Sequence, residues 1–405
     1  MRQQGASAGA ILGELDARRA RDPDFHGARL FGLCYPSGRD DLEQLLADVH
    51  QRYLFGNALN PFKFKELAAL ESDVVADAGS LLHVPDGGGG AMTSGGTESI
   101  LMSMLVNRER TRARGVERPR IVAPISAHPA YAKAAHYFDM ELVQVPLDDG
   151  YRADVAAAAQ LVDDQTAVVV ASAFSYPHGV IDPVPELAAL ATEHGAGCHV
   201  DACIGGFVLP FLERLGHDVA PWDFRVDGVT EISADVHKYG FVPKGSSVVL
   251  HRDADWVGHQ VFLYDRWPSG LYGSPAIAGA RSAAPIATAW AALHYLGIDG
   301  YTEIQRELAV TTGKVRAAVD ARDDISVVGD PVGPVLAFRS DTVDLYAVGD
   351  VLDDRGWNLN RNTDPRGLHV MLSPAHGAVV DVLLADLADA LAHHGESRGV
   401  EARYS

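Results

Sequence analysis

The sequence lacks several features that would place it in a membrane or on a nucleic acid. No stretch approaches the roughly eighteen consecutive apolar residues of a transmembrane helix. Residues 1–13 lack a basic segment followed by an apolar core, so no secretory signal or membrane anchor is expected. The formal charge of −20 disfavours a surface for binding phosphate backbones, which needs clustered lysine and arginine. We therefore expect no membrane anchor and no nucleic-acid partner.

Cysteine is also scarce. The three cysteines, Cys34, Cys198 and Cys203, form neither a CxxC pair nor an even disulfide framework. Such usage is typical of a reducing compartment, and it predicts a cytoplasmic protein without a cysteine metal site. No metal ligands are predicted elsewhere. The remaining composition, 47% hydrophobic and 22% charged, is that of an ordinary globular protein.

The middle of the chain alternates short apolar strands with helices. Predicted strands cover 120–123, 141–146, 167–171 and 197–201, and predicted helices cover 128–138, 154–161 and 185–194. Strands that are apolar on both faces and alternate with helices predict an α/β fold with a mostly parallel sheet. Ligands then gather at the carboxyl ends of its strands.

The rhythm changes on either side of this region. Before it, the spacing predicts lead-in helices, and after about residue 310 strands and helices mix as in a small α+β domain. We expect an N-terminal arm with lead-in helices at 1–60, a large domain at 61–309 and a small C-terminal domain at 310–405.

A glycine-rich stretch, Asp86 to Ser99, runs into the predicted helix 100–114. Gly95, Gly96 and Thr97 at a helix start would direct N–H groups and a hydroxyl toward one point, where the helix dipole favours an anion. The stretch has neither the spacing of a P-loop nor that of a GxGxxG turn. Two interpretations remain open here: a phosphate cradle, or a flexible loop ending in a helix cap.

A second stretch, Ile232 to Gly245, contains His237 and Lys238 between strand-like segments. A lysine in a loop limited by proline and glycine is either a surface residue or an amine that partial burial makes nucleophilic. Asp201, at the end of a predicted strand, is either a helix cap or a catalytic carboxylate. His128 begins a helix after another strand.

One small molecule requires all of these groups together. Pyridoxal 5′-phosphate presents a phosphate, a basic ring nitrogen and an aldehyde at three corners of a rigid ring. The phosphate would lie at Gly95 to Thr97, the nitrogen at Asp201 and the aldehyde on Lys238, with His237 reaching the phosphate and His128 stacked on the ring. A small-molecule amine would be the substrate.

Several longer motifs carry a family resemblance. They are Met92 to Met102, Pro177 to Pro183, His199 to Phe207, Ile232 to Ser247, Gly273 to Gly279 and Gly356 to Asn360. Together they resemble sphingosine-1-phosphate lyases of the group II pyridoxal-phosphate-dependent decarboxylase superfamily, from about residue 55 to 372. The resemblance implies the aspartate-aminotransferase-like fold (fold type I), a homodimer with shared active sites, and cleavage of a Cα–Cβ bond in a β-hydroxy amine.

The resemblance also implies roles for individual residues. It assigns Lys238, Asp201 and His128 to catalysis, as the imine-forming lysine, the partner of the pyridine nitrogen and the residue that stacks on the ring. The other implied cofactor contacts are Gly95, Gly96, Thr97, Ser172, Ser233, His237 and Ser274, the last expected to reach in from the partner subunit. The implied substrate contacts are Asn60, Tyr239, Lys244 and Arg281.

The sequence departs from the lyase pattern at three places. Asn60 stands where the lyases typically have a histidine, Phe241 replaces a tyrosine, and only Arg281 remains of a Ser-Arg-Pro-Gly turn. Each lost hydrogen bond to a charged phosphate is worth roughly 1.5–3 kcal/mol. The resemblance therefore defines the cofactor more closely than the substrate. The alternatives are an L-amino-acid decarboxylase, for which Arg281 would bind the carboxylate, and a cofactor-binding protein without catalysis.

Overall fold

A seven-stranded sheet is the centre of the computed structural model, which describes residues 3–399 and residue 402. Its strand order is β1-β7-β6-β5-β4-β2-β3, and β7 alone runs antiparallel to its neighbours among these strands. These strands are β1 (Gly89–Thr93), β2 (Arg120–Pro124), β3 (Glu141–Val145), β4 (Thr166–Ser172), β5 (Gly197–Asp201), β6 (Glu231–Ala234) and β7 (Ser247–His251). The predicted mostly parallel α/β sheet is confirmed.

Both faces of this sheet are apolar and covered by helices. Along β4, Val168 and Val170 pack in one core cluster while Val169 and Ala171 pack in another, because successive side chains point to opposite faces. The covering and flanking helices are α1 (Ala8–Arg19), α2 (Asp40–Arg52), α3 (Lys65–Leu81), α4 (Gly96–Ala113), α5 (Ala130–Phe138), α6 (Val155–Leu161), α7 (Val184–Glu193), α8 (Leu209–Arg214) and α9 (Ala254–Gln260).

Strand β1 shows why a glycine run is not always a loop. A Cβ on Gly90 would lie 2.2 Å from the carbonyl oxygen of Val249, so only glycine lets β1 approach β7 at this point. The sequence predicted a glycine-rich loop over the whole of Asp86 to Ser99, whereas the structure pairs Gly89 to Thr93 with Ser247 to His251.

A second sheet follows the long helix α10 (Ala283–Asp320), which leaves helical geometry at Gly297 (φ 54°, ψ −173°). The sheet is antiparallel with order β10-β11-β13-β12. Its elements are β10 (Ser326–Val327), β11 (Val335–Arg339), α11 (Leu345–Asp354), β12 (Asn360–Thr363), β13 (Arg366–Met371) and α12 (Val380–His393). The boundary predicted at residue 310 falls inside α10, so the three-part domain division stays a prediction.

Two further features concern the surface. A small hairpin of β8 (Phe262–Tyr264) and β9 (Tyr272–Ser274) carries exposed apolar side chains, and α1 buries none of its residues.

The N-terminal segment also contacts the second sheet. Leu30 forms a β-bridge with Asn358, and the backbone N–H of Phe31 donates to the carbonyl oxygen of Asn358. Among the described residues, no helix combines the length and apolar character needed to cross a bilayer.

Candidate active site

A cavity of about 390 Å³ opens at the carboxyl ends of the parallel strands. The loops after β1, β2, β4, β5 and β6 all meet there, as the parallel topology requires. Its lining consists of Ser94, Gly95, Gly96, Thr97, Glu98, Ile100, His128, Ser172, Phe174, Tyr176, Asp201, Cys203, Ile204, Asp235, His237, Lys238, Lys244 and Gly245. Eight of the ten candidate cofactor residues, all except Ser233 and Ser274, are thus brought together from distant parts of the sequence.

The glycine loop connects β1 to the N-terminus of α4. Gly96 begins the helix, and a Cβ there would lie 2.7 Å from Cys203 Sγ and 2.8 Å from Asp235 Oδ2, so no larger residue fits. The carboxylate of Glu98 accepts hydrogen bonds from the backbone N–H and hydroxyl of Ser94, at 2.7 and 2.6 Å. The loop is therefore held in shape, with the first N–H groups of α4 at the cavity.

Lys238 lies in the turn after β6, and its ammonium is paired. Its Nζ is 3.0 Å from Asp235 Oδ2, and both side chains are largely buried, 15% and 2% exposed. Burial raises the pKa of the Asp235 carboxyl, but the Lys238 charge, the adjacent His237 ring and hydrogen bonds to the carboxylate together outweigh burial and hold that pKa below its usual value. Lys238 thus has a buried anionic partner within the cavity.

His237 stands on the other side of the same carboxylate. Its Nε2 is 3.7 Å from Asp235 Oδ2, and its Nδ1 accepts a hydrogen bond from the backbone N–H of Ser246 at 3.3 Å. Burial lowers the pKa of His237 to about 4, so the ring is neutral at pH 7 with its proton on Nε2. A Cβ on Gly95 would lie 3.4 Å from the His237 ring, which places this imidazole beside the glycine loop.

Asp201 and His128 form another part of the wall. Asp201 ends β5, and its Oδ1 accepts a hydrogen bond from the backbone N–H of Cys203 at 3.1 Å. His128 Nδ1 accepts one from the backbone N–H of Ala130 at 3.1 Å. Burial lowers the pKa of His128, although the negative charge of Asp201 opposes that effect. The imidazole therefore presents a neutral ring to the cavity.

Lys244 is a second cation in the same cavity. Its Nζ donates to the carbonyl oxygen of His237 at 3.2 Å and lies 4.3 Å from the ring centre of Tyr35. Burial, together with repulsion from Lys238, lowers the pKa of Lys244 to about 8. The ammonium is thus present at pH 7 and would be stabilised by an anion.

Other predicted residues lie elsewhere. Asn60, Ser274 and Arg281 line a separate cavity of about 1220 Å³ between α3, the β8–β9 hairpin and the segment before β1. Arg281 forms a bidentate ion pair with Glu71, at 2.6 and 2.9 Å. Within one chain these three residues therefore do not meet Lys238.

Two predicted contacts are buried behind the cavity wall. Tyr239 is fully buried, and its hydroxyl donates to the carbonyl oxygen of Leu372 at 2.7 Å. Ser233 is fully buried on β6, opposite Asp201 on β5. Within this chain the Tyr239 hydroxyl thus has a backbone partner, and its expected substrate contact stays a prediction. Ser172, by contrast, lines the cavity, and its backbone N–H donates to Asp182.

Three polar side chains that line the cavity were not predicted as site residues from the sequence. These are Asp235, Glu98 and Tyr176. Asp235 and Glu98 were within quoted motifs, and Tyr176 comes shortly after β4, where the carboxyl-end rule predicts ligand contacts. That rule, applied to every strand, would have found Tyr176.

Comparison with known proteins shows the family of this chain. Residues 31–341 match the model of the pyridoxal-dependent decarboxylase conserved domain. The chain belongs to the pyridoxal-dependent decarboxylase family. It is a pyridoxal-phosphate-dependent lyase, as the resemblance in its motifs implied.

Two curated relatives agree. A rice protein named sphingosine-1-phosphate lyase is 39% identical over 390 residues, which cover 94% of this chain and 72% of that protein. Rat sphingosine-1-phosphate lyase 1 is 39% identical over 374 residues, covering 92% of this chain and 66% of that protein. The resemblance to this group is therefore confirmed.

Solved structures agree on the fold. A sphingosine-1-phosphate lyase from Burkholderia pseudomallei K96243 matches with a TM-score of 0.93 at 38% identity, covering 97% of this chain and 92% of that one. A glutamate decarboxylase from Lactobacillus brevis matches with a TM-score of 0.85 at 23% identity, which bears on the fold alone. The predicted fold type I architecture is confirmed.

The residues in the cavity fit pyridoxal 5′-phosphate. The glycine loop supplies a cradle that a Cβ at Gly96 would fill. Asp235 Oδ1 is buried without a hydrogen-bond partner among the described residues, and the other oxygen of the same carboxylate is 3.0 Å from the amine of Lys238. Asp201 would supply a carboxylate to accept the proton of the ring nitrogen, and His128 would supply a flat imidazole for the ring face.

Proposed function

We propose that this enzyme cleaves the Cα–Cβ bond of a β-hydroxy amine that carries a phosphate, with a sphingoid-base phosphate as the first substrate to test. The products are an aldehyde and an amine. The observation that carries the proposal is the Lys244 ammonium, which lines the same cavity as Lys238 and donates a hydrogen bond to the carbonyl oxygen of His237 at 3.2 Å. The names of the rice and rat relatives support the same substrate class.

The cofactor-holding roles follow from position. Pyridoxal 5′-phosphate supplies an aldehyde that condenses with amines and a ring that accepts the electron pair of a broken bond. In the proposal Lys238 Nζ binds the aldehyde carbon and Asp201 holds the proton of the ring nitrogen. His128 packs on the ring face, and the N–H groups of Gly96 and Thr97 bind the phosphate.

The reaction also needs a proton to leave the substrate hydroxyl. As the Cα–Cβ bond breaks, its electron pair stays with the amine-bearing carbon, the hydroxyl oxygen becomes a carbonyl, and the hydroxyl proton passes to a base. Lys238 Nζ, once free, is such a base, and Asp235 Oδ2 at 3.0 Å stabilises the ammonium that results. The same ammonium then returns a proton to the amine-bearing carbon.

The decarboxylase alternative has weaker support in the geometry. Recognition of an amino-acid carboxylate would need an arginine at the cavity, and Arg281 was the candidate. In this chain Arg281 pairs with Glu71 in the separate large cavity, so it could bind a substrate carboxylate only in the active site of the partner subunit, and only if it gave up that ion pair. A single ammonium such as Lys244 is suited to an anionic phosphate.

We also propose that the protein is a homodimer with shared active sites and that it is located in the cytoplasm. The large cavity is bordered by exposed apolar side chains of the hairpin and the following loop, including Leu263, Trp267 and Leu271 at 64%, 52% and 69% exposure. Contiguous exposed apolar surface of this kind is typical of an interface. Asn60, Ser274 and Arg281 would then face the partner's active site. The three unpaired cysteines fit a reducing compartment.

Product analysis tests the proposed reaction. The purified holoenzyme is incubated with a phosphorylated sphingoid base and, separately, with L-amino acids, while aldehyde and carbon dioxide are measured. Aldehyde from the phosphorylated base is the expected result. Carbon dioxide from an amino acid without any aldehyde would establish the decarboxylase instead. The same base without its phosphate is the control for the anion requirement.

A further inference from the structure

The loop Ser274 to Ala278 connects the β8–β9 hairpin to the wall of the cofactor cavity, and one side chain makes that connection. Glu98 Oε1 accepts hydrogen bonds from the backbone N–H groups of Ile277 and Ala278, at 2.9 and 3.4 Å. Its other oxygen, Oε2, accepts the two hydrogen bonds from Ser94 in the glycine loop. A single carboxylate thus joins two loops that are some 180 residues apart in the chain.

Glu98 is placed so that neither contact is incidental. It is 8% exposed and stands in the first turn of α4, where the helix dipole favours a negative charge. All four of its donors are uncharged, so the carboxylate is held by hydrogen-bond geometry. Hydrogen bonds of this kind, with one ionised partner, are stronger than neutral ones.

The loop Ser274 to Ala278 is fixed from its other side as well. The buried side chain of Gln260 donates from Nε2 to the carbonyl oxygen of Pro275 at 2.7 Å, and its Oε1 is 2.7 Å from Nε2 of buried His251. Ser274 Oγ donates within the loop to the carbonyl oxygen of Ala276 at 2.7 Å. The loop therefore has two anchors, Glu98 on the cofactor side and Gln260 on the far side.

We propose that Glu98 is a positioning residue that couples the glycine loop to the Ser274–Ala278 loop, so that order in one strengthens cofactor binding at the other. The inference rests on the proposed phosphate position at Gly96 and Thr97. Glu98 does not transfer a proton or touch the reacting bond in this role. Its effect passes through Ser94, whose N–H and hydroxyl it holds at the edge of the cradle.

The isosteric variant Glu98→Gln tests this coupling. Glutamine has one acceptor oxygen, so its NH₂ group must face the donors of Ser94 or those of Ile277 and Ala278. The matched control is Glu109→Gln, the same change on a half-buried side chain of the same helix that is paired with Arg108 and does not line the cavity. Apoprotein is titrated with pyridoxal 5′-phosphate, and hydrogen–deuterium exchange is followed in peptides that cover 93–97 and 274–278.

We expect Glu98→Gln to weaken cofactor affinity about tenfold or more, the scale for a lost hydrogen bond to a charged group, and to speed exchange in both peptides. Glu109→Gln leaves both quantities as in the wild type. Unchanged exchange in 274–278, or faster exchange there with cofactor affinity within about twofold of wild type, would overturn the inference.

A double-variant cycle distinguishes coupling from general destabilisation. Gln260→Ala loosens the same loop from the far side, and Gln260 does not line the cofactor cavity. If the loop acts through Glu98, Gln260→Ala weakens cofactor affinity in the wild-type background but adds little to Glu98→Gln. Additive effects would contradict the inference. If the wild type itself shows no saturable cofactor binding, the proposed cofactor site fails, and the inference fails with it.

Discussion

Asp235 Oδ2 lies 3.0 Å from Lys238 Nζ, and both side chains are largely buried, so the lysine has a buried counter-charge. Removing one partner of a buried ion pair leaves the other uncompensated, which costs roughly 3–5 kcal/mol. We expect Asp235→Asn to lower the free energy of unfolding by about 3 kcal/mol at pH 7. Chemical denaturation with and without cofactor measures it, and an unchanged midpoint in the apoprotein would contradict the pairing.

The same pair predicts a dependence on acid. The pKa of Asp235 in the fold is below its usual 3.8, so its contribution to stability is complete above that pH. The contribution is lost as the pH falls through the lower pKa of the folded state. Thermal unfolding of the wild type should therefore lose stability below pH 3.8 more steeply than that of Asp235→Asn.

Lys238→Ala should abolish covalent attachment of the cofactor. Borohydride reduction of the wild-type holoenzyme is expected to fix cofactor to Lys238, and the variant should show none by peptide mass analysis. Turnover should fall by roughly 10²–10⁴-fold, the range for loss of a positioned proton-transfer group. Lys314→Ala is the control, since Lys314 pairs with Asp381 on the surface. Retention of borohydride-stable cofactor in Lys238→Ala would assign the imine to another lysine.

Lys244 predicts the alkaline limit of substrate binding. Its pKa is lowered to about 8, so the ammonium is present below that pH and is lost above it. KM for a phosphorylated substrate should therefore rise as the pH passes through 8. Lys244→Met should raise KM about 10- to 100-fold at pH 7, for a lost hydrogen bond to a charged group. Lys244→Arg, which stays charged, should shift the KM rise to higher pH; an unchanged profile in this variant would assign the limit to another group.

Glu231 predicts a neutral-range dependence of stability far from the reaction. It is fully buried on β6. Burial raises its pKa from 4.5 to about 7, although hydrogen bonds from Asn107 and Thr230 act to lower that pKa. The folded state therefore holds a proton that the unfolded state releases, and stability falls by about 3 kcal/mol between pH 4.5 and 7. Glu231→Gln should flatten this slope, whereas the control Glu109→Gln, on a half-buried side chain, should keep it. A slope that persists in Glu231→Gln would show that another group titrates.

The proposed dimer is tested on the hairpin. Leu263, 64% exposed on β8, borders the large cavity, and an aspartate there would place a charge in the interface. We expect Leu263→Asp to shift the protein from dimer to monomer in light scattering coupled to size exclusion. Val382→Asp, at another exposed apolar position on α12, should leave the dimer intact. A dimer that survives Leu263→Asp would place the interface elsewhere.

Periodicity predicted the elements whose apolar pattern is unambiguous. The strands at β2, β4 and β5 were located to within a residue or two because both of their faces are buried. Strand β1 was not found, since its glycines serve close backbone contact with β7 and have no side-chain pattern. The cofactor was predictable because its contacts follow strand ends in order along the sequence.

The surroundings of the predicted substrate residues were harder to predict from the sequence. Arg281 pairs with Glu71, which is 210 positions away in the chain, and no local sequence pattern predicts this pair. The same holds for Tyr239, adjacent to Lys238 in sequence but directed to the backbone of Leu372. Neighbours in a turn point in different directions, so Lys238 lines the cavity whereas Tyr239 does not.

The pairing of β1 with β7 has a consequence for the order of folding. Among the described strands, β1 pairs with β7 alone, which follows roughly 150 residues later in the chain, so closing that pair costs loop entropy. The glycine loop follows β1, and β1 can join the sheet only after the chain beyond Ser247 has been synthesised. The parallel strands β2 to β5 can assemble earlier. A nascent chain that stops short of β7 would thus carry most of its sheet and no place to hold a phosphate.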